Sequence, residues 1–217
     1  MSSLNVPVGI FVDKDDSLFI ADRDNHRIMK YNANSTIGIV VAGSGSAGNN
    51  YDQLNTPKAV AIDQHGFLIV GDSSNHRIQN FSNGSYATTI AGANAATPFI
   101  DMLDIHVNYY DDVYVTDGGT AQITKSRLNT STEIILKTNN GSGFKADQFL
   151  YPYGNVVDVN GSWYIADSGN HRVQKWLPGA TNCTTVAGTT NSFGSNMTQL
   201  NRPIAIILDN NGYVSRK

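Results

Sequence analysis

Short apolar runs separated by polar turns occupy the whole chain. The runs are about five residues long, rich in Ile, Val and aromatic residues, and bounded by Asp, Asn, Gly or Ser, which is the pattern of β-strands joined by turns. Near the N-terminus this pattern predicts strands over Val8–Val12, Ser17–Ala21, Arg27–Tyr31 and Gly38–Ala42. Apolar residues often occupy adjacent positions instead of alternating, which indicates sheets that are covered on both faces.

One segment returns along the chain. The segment Leu18–Tyr31 reads LFIADRDNHRIMKY; it reappears at Leu68–Phe81 as LIVGDSSNHRIQNF, at Trp163–Leu177 as WYIADSGNHRVQKWL and, more weakly, at Val113–Leu128 as VYVTDGGTAQITKSRL. The aspartates of these copies recur at intervals of 50, 45 and 50 residues. Units of this length with four short strands are typical of propeller blades. We therefore predict an all-β fold, a β-propeller of four-stranded antiparallel blades with four blades plus a partial fifth.

The repeated core D-x-x-N-H-R-[IV], with the pattern P-x-[GA]-[IV]-x-[VI]-D before it, resembles the NHL repeat. The resemblance extends over essentially the whole chain, with three intact copies in register. It implies a propeller that commonly has six blades, which needs more sequence than these 217 residues. We therefore expect an incomplete domain; the alternative is a shorter propeller whose last strand pairs with Met1–Val12. The blades of this single domain, 1–217, are predicted at about 4–53, 54–98, 99–149 and 150–199, with a partial blade at 200–217.

The repeated motif has a catalytic and a structural interpretation. Asp, His and Arg side by side can perform acid–base chemistry, but a catalytic site occurs once in a protein, whereas a set repeated in each blade maintains the blade. Asp or Asn at a turn satisfies backbone donors, and an Arg opposite an Asp joins two strands. We therefore assign a structural role to the motif residues, which are Asp22, Asn25, His26, Arg27, Asp72, Asn75, His76, Arg77, Asp117, Asp167, Asn170, His171 and Arg172.

The first strands of the blades, which line the central channel of a propeller, are mostly apolar. Asp104, His106 and Asp158 are the ionisable candidates on these strands, and we predict that they face the channel. Blade three, which departs from the repeat pattern, also carries Asp101. Two explanations for this departure are a specialised acidic patch at the channel mouth and sequence drift, and drift is favoured. No catalytic residue, metal site or cofactor is predicted, because the motif histidines lie on a ring too wide for one metal ion.

Composition mainly excludes function classes. Charged residues make up 15% of the chain and the net charge is −3, which argues against a nucleic-acid partner, since such proteins normally present a basic surface. No apolar stretch approaches the roughly 20 residues of a membrane span. The single cysteine, Cys183, excludes an internal disulfide and a cysteine-based metal site.

Eight N-x-[ST] sequons exceed the number expected by chance and favour an extracellular glycoprotein or another product of the secretory pathway. The first residues show no signal peptide, which counts against this localisation unless the start is missing, and a cytoplasmic location is the alternative. The candidate glycosylation sites are Asn34, Asn80, Asn83, Asn129, Asn140, Asn160, Asn182 and Asn196.

A non-catalytic binding or scaffold module is the function that these observations favour. It would recognise a protein, or another macromolecule, through loops on a propeller face, within a larger NHL-repeat protein that carries other domains. Two alternatives stay open: an intracellular adaptor of the ubiquitin-ligase or RNA-binding NHL type, and a propeller lyase or hydrolase related to peptide-amidating lyase. The predicted contact surface consists of the segments between blades, Gly43–Gln53, Gly92–Phe99, Thr138–Phe149 and Gly188–Gln199.

Overall fold

A computed structural model of the protein describes residues 3–84, 86–92, 99–127, 133–134, 141–209 and 214–215. It contains four antiparallel four-stranded sheets and one two-stranded sheet, and the strands of each sheet follow one another in chain order. The strands are β1 (Pro7–Val12), β2 (Leu18–Asp22), β3 (Arg27–Tyr31) and β4 (Gly38–Ala42); β5 (Pro57–Ile62), β6 (Leu68–Asp72), β7 (Arg77–Asn83) and β8 (Tyr86–Gly92); β9 (Met102–Val107), β10 (Asp112–Asp117), β11 (Gln122–Arg127) and β12 (Glu133–Ile134); β13 (Pro152–Val157), β14 (Trp163–Asp167), β15 (Arg172–Trp176) and β16 (Thr184–Gly188); and β17 (Ile207–Leu208) and β18 (Val214–Ser215).

This architecture confirms the predicted all-β propeller with four blades and the beginning of a fifth. The predicted burial on both faces is clearest in the second strands, because every residue of β6, β10 and β14 is buried. The second strand of blade one begins and ends one residue later than predicted, at Leu18 and Asp22. The reason is that Asp22 pairs with both Pro7 and Arg27 and thereby extends the ladder.

The hydrophobic core lies between the blades. The first strands β1, β5, β9 and β13 contact one another in order, so that each sheet packs its face on the next. One cluster joins blades one and two and includes Ile28 and Val70. Another joins blades three and four, where the Tyr114 and Trp163 rings meet edge to face with centroids 4.8 Å apart. The described core clusters therefore lie between neighbouring blades.

Two faces of the propeller differ in what they present. Turns between the first and second strands lie on one face, which we call the turn face. The segments between blades lie on the other, which we call the loop face, together with the short 3-10 helices Arg23–Asn25, Ser73–Asn75 and Ser168–Asn170 that join second and third strands. Among the described residues, no helix is long and apolar enough to cross a membrane.

Candidate functional site

The blade motif begins with a buried aspartate that three donors hold in place. In blade two, Oδ1 of Asp72 accepts the backbone N–H of Asn55 at 2.6 Å, while Oδ2 accepts Nδ2 of Asn75 at 2.8 Å and Nε of Arg77 at 2.8 Å. Burial raises the pKa of the Asp72 carboxyl, and the three donors oppose that shift. The same contacts recur in blade one, between Asp22 and Asn5, Asn25 and Arg27, and in blade four, between Asp167 and Leu150, Asn170 and Arg172.

The motif arginine extends this network to the segment that precedes its blade. The guanidinium of Arg77 donates to the carbonyl oxygens of Asn49, Asn50 and Gln53 at 2.8 to 3.1 Å. Arg172 donates in the same way to three carbonyl oxygens of the segment before blade four, those of Phe144, Lys145 and Gln148. Both side chains are buried. The motif thus fixes the backbone of the loop face.

The motif histidines adopt the left-handed conformation, with φ of 50° at His26, 55° at His76 and 58° at His171. Nδ1 of His26 accepts the backbone N–H of Thr56 at 3.1 Å, and Nδ1 of His171 accepts that of Arg202 at 3.2 Å. In both cases the donor belongs to the following blade. Among the described residues, no group of three or more His, Cys, Asp or Glu side chains is arranged to hold a metal ion.

Blade three keeps the backbone of the motif with different side chains. Asp117 accepts four backbone N–H groups, and Ala121 has a φ of 55°, which matches the histidines of the other blades. Asp101 forms an ion pair with Lys58 of blade two, whereas Asp104 bonds to Asn155 of blade four. The two carboxylates therefore point into different contacts and do not form one patch.

Two repeated positions were missed by the sequence analysis. Gln53, Gln148 and Gln199 each place their side-chain amide against a glycine five residues earlier in the loop face. Asp158, predicted as a channel candidate, follows β13 and accepts the backbone N–H groups of Asn160 and Ser162. Asp13, Asp63 and Asn108 do the same in the other blades. Both patterns keep the spacing of the motif and were visible in the sequence as G-x4-Q and as a polar residue after each first strand.

A cavity of about 1000 Å³ opens at the centre of the propeller. Its walls come from the first strands and from residues 204–209, and the three predicted channel residues Asp104, His106 and Asp158 all line it. Burial raises the pKa of Asp104 to about 7 and lowers that of His106 to about 4. Both side chains are partly exposed to the cavity. The cavity is thus lined by two ionisable groups whose pKa values are strongly shifted.

The candidate glycosylation sites differ in their surroundings. Asn34, Asn160, Asn182 and Asn196 are exposed. Asn80, in contrast, lies inside β7 and is only 9% exposed. Cys183, inside a sequon, is buried, and burial raises the pKa of its thiol to about 12. Asn83 belongs to β7, but the structure does not describe its side chain. Asn129 and Asn140 lie outside the described residues.

The NHL-repeat family model matches residues 4–31 and 54–81, which contain the second and third strands and the motif of blades one and two. The chain is an NHL-type β-propeller. The third intact copy of the NHL motif, in blade four, makes the same aspartate contacts as the two matched copies. Comparison with curated proteins gives no significant match.

Solved structures share the propeller fold at low sequence identity. A chain of a nidogen–laminin complex is similar with a TM-score of 0.71 and 18% identity, covering 94% of this chain and 68% of that chain. An auxiliary nutrient binding protein from Bacteroides ovatus has a TM-score of 0.73 and 16% identity, with coverages of 96% and 55%. A catalytically inactive virginiamycin B lyase from Staphylococcus aureus has a TM-score of 0.65 and 12% identity, with coverages of 92% and 59%. This NHL-type chain thus spans between 55% and 68% of their lengths.

Proposed function

We propose that the protein is a non-catalytic binding module whose loop face recognises a protein partner. The observation that carries the proposal is a set of large apolar side chains that stand exposed on that face. Aromatic residues and Met are enriched in protein interfaces, and a few of them usually supply most of the binding energy. The exposed side chains are Tyr51, Phe144, Tyr151, Phe193 and Met197, which are between 60% and 90% exposed.

The backbone beneath these side chains supports the proposal because it is fixed before any partner binds. Phe144 itself supplies a carbonyl oxygen to Arg172, and Phe193 lies against the His171 ring with centroids 5.2 Å apart. A surface that is ordered in advance loses less conformational entropy on binding.

The test compares two triple variants in affinity capture from the protein's natural source, with the captured proteins identified by mass spectrometry. Replacing three loop-face residues by Ser should abolish capture of the partner, and replacing three equally exposed turn-face residues should not. A partner captured equally by both variants, or no partner captured by the unaltered chain, would contradict the proposal. The loop-face variant is Phe144→Ser, Phe193→Ser and Met197→Ser; the control is Tyr109→Ser, Tyr110→Ser and Val159→Ser, at positions 79%, 67% and 94% exposed.

We also propose that the protein passes through the secretory pathway, on the strength of its sequons. Four of them are exposed and none of these four asparagines lies within a strand. The intact mass of the protein from its natural source, measured before and after enzymatic removal of N-linked glycans, tests this localisation. A mass that does not change on deglycosylation would favour the cytoplasmic alternative.

A further inference from the structure

Asp104 and His106 break the pattern of the first strands. The strand registers align Asp104 with Gly9, Ala59 and Gly154 of the other blades, and they align His106 with apolar residues, namely Phe11, Ala61 and Val156. In these other blades, a small residue therefore stands at the position of Asp104 and an apolar residue at the position of His106. Unlike the motif and turn residues, this pair occurs once, so the maintenance of a blade does not account for it.

The pair lies at the seam between blades three and four, where Asp104 is part of an ordered polar chain. Oδ1 of Asn155 accepts the indole N–H of Trp163 at 3.0 Å, and the backbone N–H and Nδ2 of Asn155 donate to Oδ2 of Asp104 at 2.7 and 3.2 Å. Both bonds from Asn155 end on Oδ2, and the backbone N–H of Ile105 also donates to this carboxyl group. An ionised carboxylate has about four acceptor positions, so it keeps the capacity to accept a further donor. Within the described part of the chain, the His106 ring makes no hydrogen bond.

The groups around the central cavity favour a cation. Among the described residues of its lining, the carboxyls are Asp104, Asp158 and Asp209, and the cation is Lys175. The Lys175 ammonium lies over the Tyr164 ring, 4.9 Å from its centroid. Tyr164 in turn has its hydroxyl 3.4 Å from Oδ2 of Asp158. His106 stays neutral at neutral pH, because burial lowers its pKa to about 4, and a neutral imidazole accepts a hydrogen bond without repelling a cation.

We propose that the central cavity binds a small organic ammonium ion, held between the Asp104 carboxylate and the His106 imidazole. The two residues are two positions apart on one strand, so their side chains leave the same side about 6.6 Å apart. That separation suits one ammonium group whose N–H bonds reach an acceptor on each side. The other walls include Ile10, Val60 and Ile206, so the ligand's remaining part is apolar.

Ammonium binding is coupled to release of a proton from Asp104. The carboxyl has a pKa raised to about 7, so it is mostly protonated at pH 6 and mostly ionised at pH 8. The other titratable groups among the described residues of the cavity lining are His106, Tyr153, Asp158, Tyr164, Lys175 and Asp209. Because the ionised form binds the cation, affinity should rise about tenfold between pH 6 and pH 8.

The test uses benzylammonium as the probe and benzyl alcohol as its uncharged counterpart, with dissociation constants measured by isothermal titration calorimetry on the full chain. The unaltered protein should bind benzylammonium at least tenfold more tightly than benzyl alcohol at pH 8. Asp104→Asn should abolish that preference while keeping an acceptor for Asn155. The matched control, Asp101→Asn, removes a carboxylate outside the cavity lining and should retain the preference.

His106→Phe supplies a second variant, because blade one already has Phe11 at this position. It should weaken benzylammonium binding several-fold and leave benzyl alcohol binding unchanged. Asp104→Ala, which copies Ala59 of blade two, replaces Asp104→Asn if that variant does not fold. Equal affinity for the two probes, a preference retained without the Asp104 carboxyl, or an affinity that does not change between pH 6 and pH 8 would each overturn the proposal.

Discussion

The buried aspartate and arginine of the blade motif illustrate what single residues do in this protein. Asp72 is fully buried and Arg77 nearly so, and each has donors or acceptors at most of its polar atoms. A buried ion pair contributes little net stability compared with an apolar pair, but removing one partner leaves an uncompensated charge. The residue scale is therefore where the largest effects of single substitutions are expected.

Asp72→Ala and Arg77→Ala should each lower the free energy of unfolding by about 3–5 kcal/mol, because each leaves its partner charged and buried. Urea unfolding followed by circular dichroism measures the change. Arg23→Ala is the matched control, since the Arg23–Asp24 pair has side chains 34% and 35% exposed, and exposed pairs contribute about 0–1 kcal/mol. Motif variants as stable as the control would refute the structural role assigned to the motif.

Asp104 and His106 make opposite contributions to the pH dependence of stability. The pKa of Asp104 is raised to about 7, so the native state binds the extra proton and this residue's contribution falls as the pH rises from about 4 to 7. The pKa of His106 is lowered to about 4, so its contribution grows as the pH rises from about 4 to 6.5. In the unaltered protein the two trends oppose each other over most of this range.

Single substitutions should therefore reveal each trend. The stability of Asp104→Asn relative to the unaltered protein should increase with pH between 4.5 and 6.5, by about 1 kcal/mol per pH unit. His106→Phe should show the reverse trend. Urea unfolding at pH 4.5, 5.5 and 6.5 measures both differences, and relative stabilities that are independent of pH would contradict the shifted pKa values.

At the level of elements, glycines close the fourth strands. Gly43, Gly92 and Gly188 all end or follow a fourth strand with φ between 81° and 84°, and each lies against the carbonyl oxygen of its blade's motif histidine. A methyl group on Gly92 would lie 2.1 Å from that oxygen of His76. The Ala-Gly pairs repeated in the sequence thus mark a turn and also a close approach between the end of the fourth strand and the backbone of the motif histidine.

Gly92→Ala should therefore destabilise the fold by more than about 3 kcal/mol, because backbone strain and a steric clash add. Gly66→Ala is its control, since Gly66 has the same φ of 84° and open space around it, and should cost roughly 1–2 kcal/mol. Thermal unfolding compares the two variants. Equal melting temperatures would mean that the close approach to His76 does not constrain this strand.

At the scale of the whole molecule, the core lies between the blades, so the stability of each blade depends on its neighbours. Trp163 of blade four is 2% exposed and packs on Tyr114 of blade three, so its loss would loosen both sheets. Solenoids and propellers without independent repeat cores gain stability from such interfaces between neighbours.

Burial in the folded molecule also predicts which sequons carry glycans. In protein secreted from eukaryotic cells, Asn34, Asn160, Asn182 and Asn196 should be modified because they are exposed, and Asn80 should not. Peptide mapping after deglycosylation in heavy-oxygen water identifies the modified sites. Glycosylation at Asn80 would contradict its buried position in β7, and secretion without any glycan would contradict the proposed accessibility of the other four.

Features encoded within one repeat were predictable from the sequence. Strand positions, the four blades and the turn between second and third strands follow from local propensities and from a period that recurs three times. The one-residue shift at Asp22 arises because Asp22 pairs with Pro7 and Arg27 on the neighbouring strands and so extends the ladder. Asp158 lines the central cavity as predicted, but its second role, accepting backbone N–H groups of the turn after β13, was missed, although its counterparts Asp13 and Asp63 keep the same spacing.

The sequence by itself thus determined the all-β propeller, its blade period and the structural signature of its motif, because each depends on contacts within about 50 residues. Only the tertiary structure decided what the side chains meet. It joined Asp104 to Asn155, 51 residues later, and it separated Asp104 from Asp101, three residues earlier. The physical reason is that Asp101 lies just before β9 whereas Asp104 lies within the strand, beyond a shift in its register with β10. The groups that each carboxylate meets therefore depend on how successive blades pack around the central cavity.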